Sequence, residues 1–372
     1  MIFADHIDGN WLGTFTYHGL GFSDAREIFI FLSGISCSLL YGRLEEQSGL
    51  AWAQFRALHR AIQIYLGYAL VVFFTFAALL SLRGLAEPHF ASTGEFALLF
   101  ADPPRALATA AGLYYTPGYL DILPLYIWLV AAAPLMVFML RRAPRATLLA
   151  SAALWLAAQA DLLPQIPSLD PGGKAALNPL SWQFLFCIGL ATGQHFHRAG
   201  RSFRANRPTQ LLCGAIVAAN LACSVLDHAA RSSLGQRLPL AATLHALRVM
   251  ARAGSGEHAL RLLHFLAVAY LVASVLRASH PLLRSAWLRP LILTGQFPLQ
   301  SFCLGAVMSV LGTLYWLADA PRPLAQALAT LLGCALMAAL ALALAATRRS
   351  PRRSESPGKV ELVPAVDEAG AV

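Results

Sequence analysis

Ionisable side chains crowd the first stretch of an otherwise apolar chain, and they are the residues whose chemistry stands out. Asp5 and His6 follow Met1-Ile2-Phe3-Ala4, and Asp24, Arg26 and Glu27 open the apolar run from Ile28 to Leu40. Ionisable groups at the edge of lipid are costly and by default stand as functional-site hypotheses. An imidazole titrates near neutral pH and an adjacent carboxylate can orient it, so His6 with Asp5 or Asp24 suits general-base work. His6 can equally be a polar residue at the membrane surface. Asp24 and Glu27 are three apart and share a helix face. The same spacing suits an N-cap and its N3 partner, a role compatible with function.

Three further sets carry polar chemistry. Arg261 and His264 are three apart on one face of an apolar run, where an arginine can grip a carboxylate or can snorkel to the interface. Trp182 offers a ring that could stack on a sugar, beside Gln183, although an interfacial Trp is a common feature of membrane helices. His195 and His197 are two apart and do not share a helix face, so no metal site is expected there. No Gly-x-Ser-x-Gly elbow occurs around any serine, which argues against a serine-hydrolase route. Ser33-Gly34 lets a neighbouring helix approach closely.

The elements that must position these groups are membrane helices. The 372 residues are 57% hydrophobic and 13% charged, against roughly 25% charge in a soluble domain. The mean hydropathy is +0.58. The fold class is therefore all-α, a polytopic integral membrane protein. The net charge of +9 does not mark a nucleic-acid binder, because Lys and Arg fall between apolar runs rather than on one face. Cys37, Cys187, Cys213, Cys223, Cys303 and Cys334 lie inside apolar runs without a C-x-x-C pair, as packed thiols do. No charged n-region precedes Arg26, so no cleavable signal peptide is expected.

Apolar runs long enough to span lipid fall at Asp24–Tyr41, Ala61–Leu82, Gly118–Leu140, Arg145–Leu163, Pro179–His195, Thr209–Leu226, Ala259–Leu276, Leu291–Leu317 and Leu324–Thr347. With a truncated first helix before Asp5, that makes about ten spans. Arg105–Tyr115 is too short to span and reads as an interfacial or re-entrant piece. Positive charge collects in alternate connections, the connection His228–His258 with Arg231, Arg237, Arg248 and Arg252 being the exception on the other side: Arg43, Arg56 and Arg60; Arg141, Arg142 and Arg145; Arg198, Arg201, Arg204 and Arg207; Arg277, Arg284 and Arg289; and the tail from Arg348. By the positive-inside rule these are cytoplasmic, as are both termini, and Asp5, His6, Asp24 and Glu27 lie near the opposite, periplasmic surface. The domains are a membrane domain over 1–347 and a disordered cytoplasmic tail over 348–372, rich in Ser, Pro and charge. The Ala-rich last span shows no site signal.

Several stretches carry a resemblance. Asp5-His6-Ile7, Gly21-Phe22-Ser23-Asp24-Ala25, Phe29-Ile30-Phe31-Leu32-Ser33-Gly34, Leu123-Pro124-Leu125-Tyr126, Asn178-Pro179-Leu180-Ser181-Trp182-Gln183-Phe184-Leu185-Phe186 and Leu263-His264-Phe265-Leu266-Ala267 resemble the OpgC-type glucan succinyltransferases. These are bacterial membrane proteins related to the acyltransferase-3 family. The resemblance runs to about Leu344. In that family an Arg-Gly pair opens the first helix about a dozen residues before the His that matches His6. Here Met1 stands only five residues before it, so either translation begins upstream, which is the expectation, or this member has lost that group. Pro298, in Gly295-Gln296-Phe297-Pro298-Leu299-Gln300, stands near a usual Ser and is expected to kink its helix.

The resemblance implies an O-acyltransferase of the bacterial inner membrane. It would move a succinyl group from a cytoplasmic acyl-CoA, succinyl-CoA being the expected donor, to hydroxyls of periplasmic glucans. No bound cofactor or metal is implied. His6 would be the base, Asp5 or Asp24 its orienter, and Arg261 a carboxylate or substrate contact. Glu27, His264, Trp182 and Gln183 would be substrate-binding. The Arg198–Arg207 loop could meet coenzyme A phosphates or simply anchor the helix. Acylation of another surface polysaccharide is an alternative. So is a glycolipid or polysaccharide transporter whose buried ionisable groups relay protons.

Overall fold

The computed structural model describes residues 2–17, 21–163, 168–169, 177–198, 205–230, 243, 256–275, 285–318 and 323–349. Helices follow one another as α1 (Ile2–Asp5), α2 (Ala25–Ser81), α3 (Arg83–Thr93), α4 (Ala97–Ala101), α5 (Pro103–Ala111), α6 (Ile122–Arg142), α7 (Pro144–Gln159), α8 (Pro179–Arg198), α9 (Arg207–Ala230), α10 (Ala259–Val275), α11 (Arg289–Gln296), α12 (Pro298–Ala318) and α13 (Pro323–Arg349). No strand occurs among the described residues. Five helices are long and apolar enough to cross a membrane: α2, α6, α12, and the segments Arg207–Leu226 of α9 and Pro323–Thr347 of α13. Many of their leucines and phenylalanines point outward, among them Leu66, Leu70, Phe73, Phe74, Leu211, Leu328 and Leu332. In water such a surface would aggregate; against acyl chains it is at home. The protein is an all-α membrane protein.

Helix α2 unites two of the expected spans. Its 57 residues would reach about 85 Å if straight, nearly three times a ~30 Å hydrocarbon core. Gly49, with φ 81° and ψ 167°, breaks it, and glycine alone takes that backbone without a Cβ penalty. Phe29 packs on Tyr126 with ring centroids 5.0 Å apart, and Arg141 reaches Gly42 O at 3.1 Å. Gln54 then bonds Ala131 O at 2.7 Å, and Tyr68 OH donates to Tyr115 O at 3.3 Å. The second half therefore returns antiparallel along α6. The connection expected as a loop over residues 42–60 is helical on both sides of Gly49, so Arg43, Arg56 and Arg60 sit on helix. Pro298 does more than kink: Phe297 leaves the helical region (φ −119°, ψ 57°) and splits the expected Leu291–Leu317 span into α11 and α12. Proline removes a donor and disfavours helical backbone in the residue before it. The short piece expected at Arg105–Tyr115 is α5, whose N-cap Asp102 accepts from Arg105 N at 3.1 Å. Helices α3 and α4 were not foreseen.

The centre is the contact of α2 with α6 and α8. A Cβ on Gly34 would lie 2.5 Å from Phe186 O, and one on Gly193 2.8 Å from Ile35 O. The small residues of α2 and α8 thus let two backbones touch, as expected for Ser33-Gly34. The N-terminal segment lies on α12 and α13. Phe3 and Ile7 pack with Trp316, Ser309 Oγ donates to Phe3 O at 3.2 Å, and Asn10 Nδ2 donates to Thr330 Oγ1 at 3.1 Å. Gln326 Nε2 donates to Gly9 O at 3.1 Å. The last helix, read from sequence as plain lipid-embedded helix, thus holds the segment that carries Asp5 and His6.

The two ends of the bundle differ. Arg141 meets Glu46 at 2.7 Å and Glu45 at 3.4 Å, with His197 3.9 Å from Glu46. The start of α2, the ends of α7, and the starts of α8 and α10 meet at the opposite end. The expected tail lies outside the described residues from position 350, as do Asp170, Lys174, Arg201, Arg204, Arg231, Arg237, Arg248, Arg252, Arg277 and Arg284.

Candidate functional site

The site is built on the N-terminus of α2. Asp24 caps it, accepting from Arg26 N at 2.7 Å, and Glu27 Oε2 accepts from Asp24 N at 2.7 Å. The capping box is complete. Both carboxylates also lie where the helix dipole favours negative charge. Capping and site-building are therefore one arrangement.

Glu27 is fully buried and receives Arg261 Nε at 2.6 Å on Oε1, with Arg261 Nη2 bonded to the same oxygen. That Nη2 also lies 3.4 Å from Asp24 Oδ2. Asp24 Oδ2 in turn takes Arg26 Nε at 2.9 Å and Nη2 at 2.7 Å. The Asp24 carboxylate joins two guanidiniums. Both sit over the Trp182 ring, Arg261 at 5.3 Å and Arg26 at 6.0 Å from its centroid, a stacking that suits a weakly hydrated planar cation. Trp182, fully buried, serves as a floor for protein cations.

Beside this network runs a hydrogen-bond chain. Tyr17 OH lies 2.6 Å from Ser23 Oγ, and Ser23 Oγ 2.6 Å from His264 Nδ1. Tyr17 stacks on the His264 ring with centroids 5.9 Å apart. Burial pushes the Tyr17 phenol up to about 12.

The segment before α10 is clamped. Glu257 N–H donates to Ser181 Oγ at 2.8 Å. The Glu257 carbonyl accepts from Trp155 Nε1 at 2.8 Å and from Gln159 Nε2 at 2.5 Å. The Glu257 side chain is buried with its Oε2 3.9 Å from Arg261 Nε. Burial first, and the neighbouring Glu27 second, push this carboxyl well above the usual range.

In front of Asp24 opens a cavity of about 210 Å³ lined by Asp5, His6, Asp24, Arg26, Glu95 and Asp121. The Asp5 carboxylate accepts from the Thr16 hydroxyl. Burial, then Asp8, raise the Glu95 carboxyl. Asp8 lies behind it, 3.0 Å from His89 Nε2.

Of the residues expected at a site, Asp5, His6 and Asp24 meet in this cavity. Glu27, Arg261, His264 and Trp182 form the buried layer behind Asp24. Arg261 is held by Glu27 and Asp24, so the guanidinium that lines the cavity is that of Arg26. Gln183 faces elsewhere: Ser151 Oγ donates to its Oε1 at 2.5 Å, and its Nε2 donates to Ser151 O at 2.8 Å, which ties α7 to α8. Sequence reasoning passed over Glu257, although its place four residues before Arg261 was a signal. It named Arg26, which stands between the two singled-out acids, but gave it no role at the site. Glu95 and Asp121 reach the cavity by tertiary folding alone, and nothing in their spacing announces it. Chemically, the cavity offers an imidazole for proton transfer, carboxylates to accept from hydroxyls, and a guanidinium to donate to oxygen.

A helical membrane bundle that gathers such groups at one end, in a cavity backed by buried ion pairs, belongs among the integral membrane proteins with a polar site facing one surface. Residues 1–349 match the family described as OpgC protein, and the chain belongs to that family. Membership points to a glucan-modifying acyltransferase. No curated protein and no solved structure matches the chain.

Proposed function

We propose that the protein is an O-acyltransferase that moves a succinyl group from a cytoplasmic acyl-CoA to hydroxyls of periplasmic glucans, and that the His6 cavity is where the acceptor hydroxyl is activated. The observation that carries this reading is the meeting of His6, Asp5, Asp24 and Arg26 around one cavity in a chain of the OpgC family. A sugar hydroxyl bound there gives its proton to His6 as its oxygen attacks the thioester carbonyl. The tetrahedral intermediate expels the coenzyme A thiolate, which takes the proton back from the imidazolium, leaving ester and thiol. Asp24 and Asp5 hold hydroxyls and favour the imidazolium; Arg26 donates to the acyl or sugar oxygens. The cavity is smaller than the ~300 Å³ lower bound of drug-sized sites, which suits one sugar unit. The positive-inside pattern supports an inner-membrane protein with this cavity on the periplasmic side, so the thioester, supplied from the arginine-rich cytoplasmic end, has to reach the cavity through the bundle before the hydroxyl attacks it.

The test is the anion-exchange profile of periplasmic glucans from cells lacking the protein, complemented with the wild-type chain or His6→Ala, alongside acyl transfer by purified protein from succinyl-CoA. Acidic glucans should return with the wild type and not with His6→Ala, with His6→Ala still folded in detergent. An unchanged profile in cells lacking the protein would mean that glucans are not its acceptor. Transfer that survives His6→Ala would remove His6 as the base.

A further inference from the structure

Three carboxyl groups and two guanidiniums share the interior behind the cavity, and the third carboxyl is the odd one. Asp24 is paired with Arg26, and Glu27 with Arg261. Glu257 is fully buried, and among the described residues neither of its carboxyl oxygens receives a hydrogen bond. Its nearest cation, Arg261 at 3.9 Å, already serves Glu27 and Asp24. Among the described residues, the groups facing Glu257 are Glu27 of α2 and its N-cap Asp24, Arg261 of α10, Ser181 of α8, Trp155 and Gln159 of α7, and the Tyr17 phenol. No second uncommitted cation stands among them. An ionised carboxylate buried without hydrogen bonds is costly enough that such a group takes up a proton instead. The backbone of Glu257 is held in place. Ser181, Trp155 and Gln159 hold both sides of its backbone, and Gly256 sits so close to Ser181 Oγ that a Cβ there would come within 2.9 Å.

We propose that Glu257 is held as the neutral acid and is a positioning residue: it completes an electroneutral group of two guanidiniums, two carboxylates and one acid, which fixes Arg261 and, through Arg261, the Asp24 carboxylate at the cavity. As an acid it supplies one donor toward the Glu27 side of Arg261 and adds no third negative charge. An ionised Glu257 would compete with Glu27 and Asp24 for the same guanidinium and draw Arg261 away from them. The assignment rests on the acceptor-site reading only where transfer is the readout.

The test uses the full chain with Glu257→Gln and Glu257→Leu. Gln reproduces the shape and donor of the acid without the ability to ionise. The infrared carbonyl band of a protonated carboxylic acid should be present in the wild type at neutral pH and absent from Glu257→Gln. Sign matters for stability. A carboxyl whose folded pKa is raised stabilises the fold below its ordinary range, near 4.5, and that contribution is lost as pH rises above it. Glu257→Gln should therefore melt higher than the wild type at about pH 8, with the gap closing toward about pH 5. Transfer by Glu257→Gln should stay within about threefold of wild type, and Glu257→Leu should lose both melting temperature and transfer. An unchanged acid band, or a melting gap independent of pH, would show an ionised Glu257 and overturn the proposal. A folded Glu257→Gln that transfers about a hundredfold less would show that the proton is used rather than held, and would overturn it too. So would a Glu257→Leu as stable and active as wild type. The infrared and melting results do not depend on what the protein acylates, so failure of the glucan reading and failure of this one are distinguishable.

Discussion

Replacing Arg261 by Met tests the buried network most directly. Met keeps an unbranched apolar stem against Trp182, so the change removes the cation with little loss of packing. What remains is Glu27, fully buried with Oε1 stripped of its guanidinium donor, and Asp24 without its contact to Arg261. Breaking a buried pair by removing one partner costs about 3–5 kcal/mol, because the other charge stays uncompensated. In the melting of detergent-solubilised protein, read as the fraction that remains monodisperse after heating, that is a loss of about 4–6 °C for a chain of this length. Removing both charges is the control. If the penalty comes from the orphaned carboxylate, Glu27→Gln with Arg261→Met should recover much of the loss, with a coupling of about 1–3 kcal/mol. Transfer should fall in Arg261→Met through the displaced Asp24 and recover less completely than stability. The reasoning is refuted if Arg261→Met melts like the wild type, or if the double variant loses the sum of the two single losses to within ~0.5 kcal/mol.

The other expectations are more local. Gly34→Ala places a Cβ against Phe186 O, backbone that cannot turn aside, so it should lower stability by about 1–3 kcal/mol; Gly214→Ala, with open space around it, should not, and the two melting curves compared decide it. Ser23→Ala strips the partner from both Tyr17 OH and His264 Nδ1 and should lose about 1–3 kcal/mol, read in the same assay. The Tyr17 phenol, raised to about 12, keeps its proton in the fold after an unfolded chain has lost it. Stability should therefore fall as pH rises from about 10 toward about 12, and Tyr17→Phe should flatten that fall. Removing His6 should lower transfer by about a hundredfold or more, the usual share of a general base, in an acyl-transfer assay on protein that elutes like the wild type.

How much of this was legible in the chain follows from what each signal encodes. The membrane class and the five long apolar helices were legible because lipid demands length and apolarity, and both are written locally. The helix start at Asp24 was legible because capping is a three-residue pattern. Gly49 was not read as the turn of a hairpin, since helical sequence on both sides conceals a break that only the positive φ reveals. Pro298 announced a kink, but the full split of its span follows from Phe297 leaving helical backbone.

The site divides along the same line. Asp5, His6 and Asp24 stood out as ionisable groups at the margins of apolar runs, and they meet in one cavity. Arg261 stood out for the same reason, but sequence pairs it with nothing 234 residues away, so its enclosure by Glu27 and Asp24 was invisible. Its spacing to Glu257 was visible, yet i,i+4 pairing alone would have predicted a salt bridge. The ion pair is present but long, at 3.9 Å, and Glu27 holds the same guanidinium at 2.6 Å: proximity in sequence gave Glu257 a cation, and the fold gave that cation's hydrogen bonds to another carboxylate. On the proposal above, a surplus acid in such a place keeps the buried layer electroneutral only while it holds its proton, so losing that proton is what would disturb Arg261 and the Asp24 carboxylate in front of it.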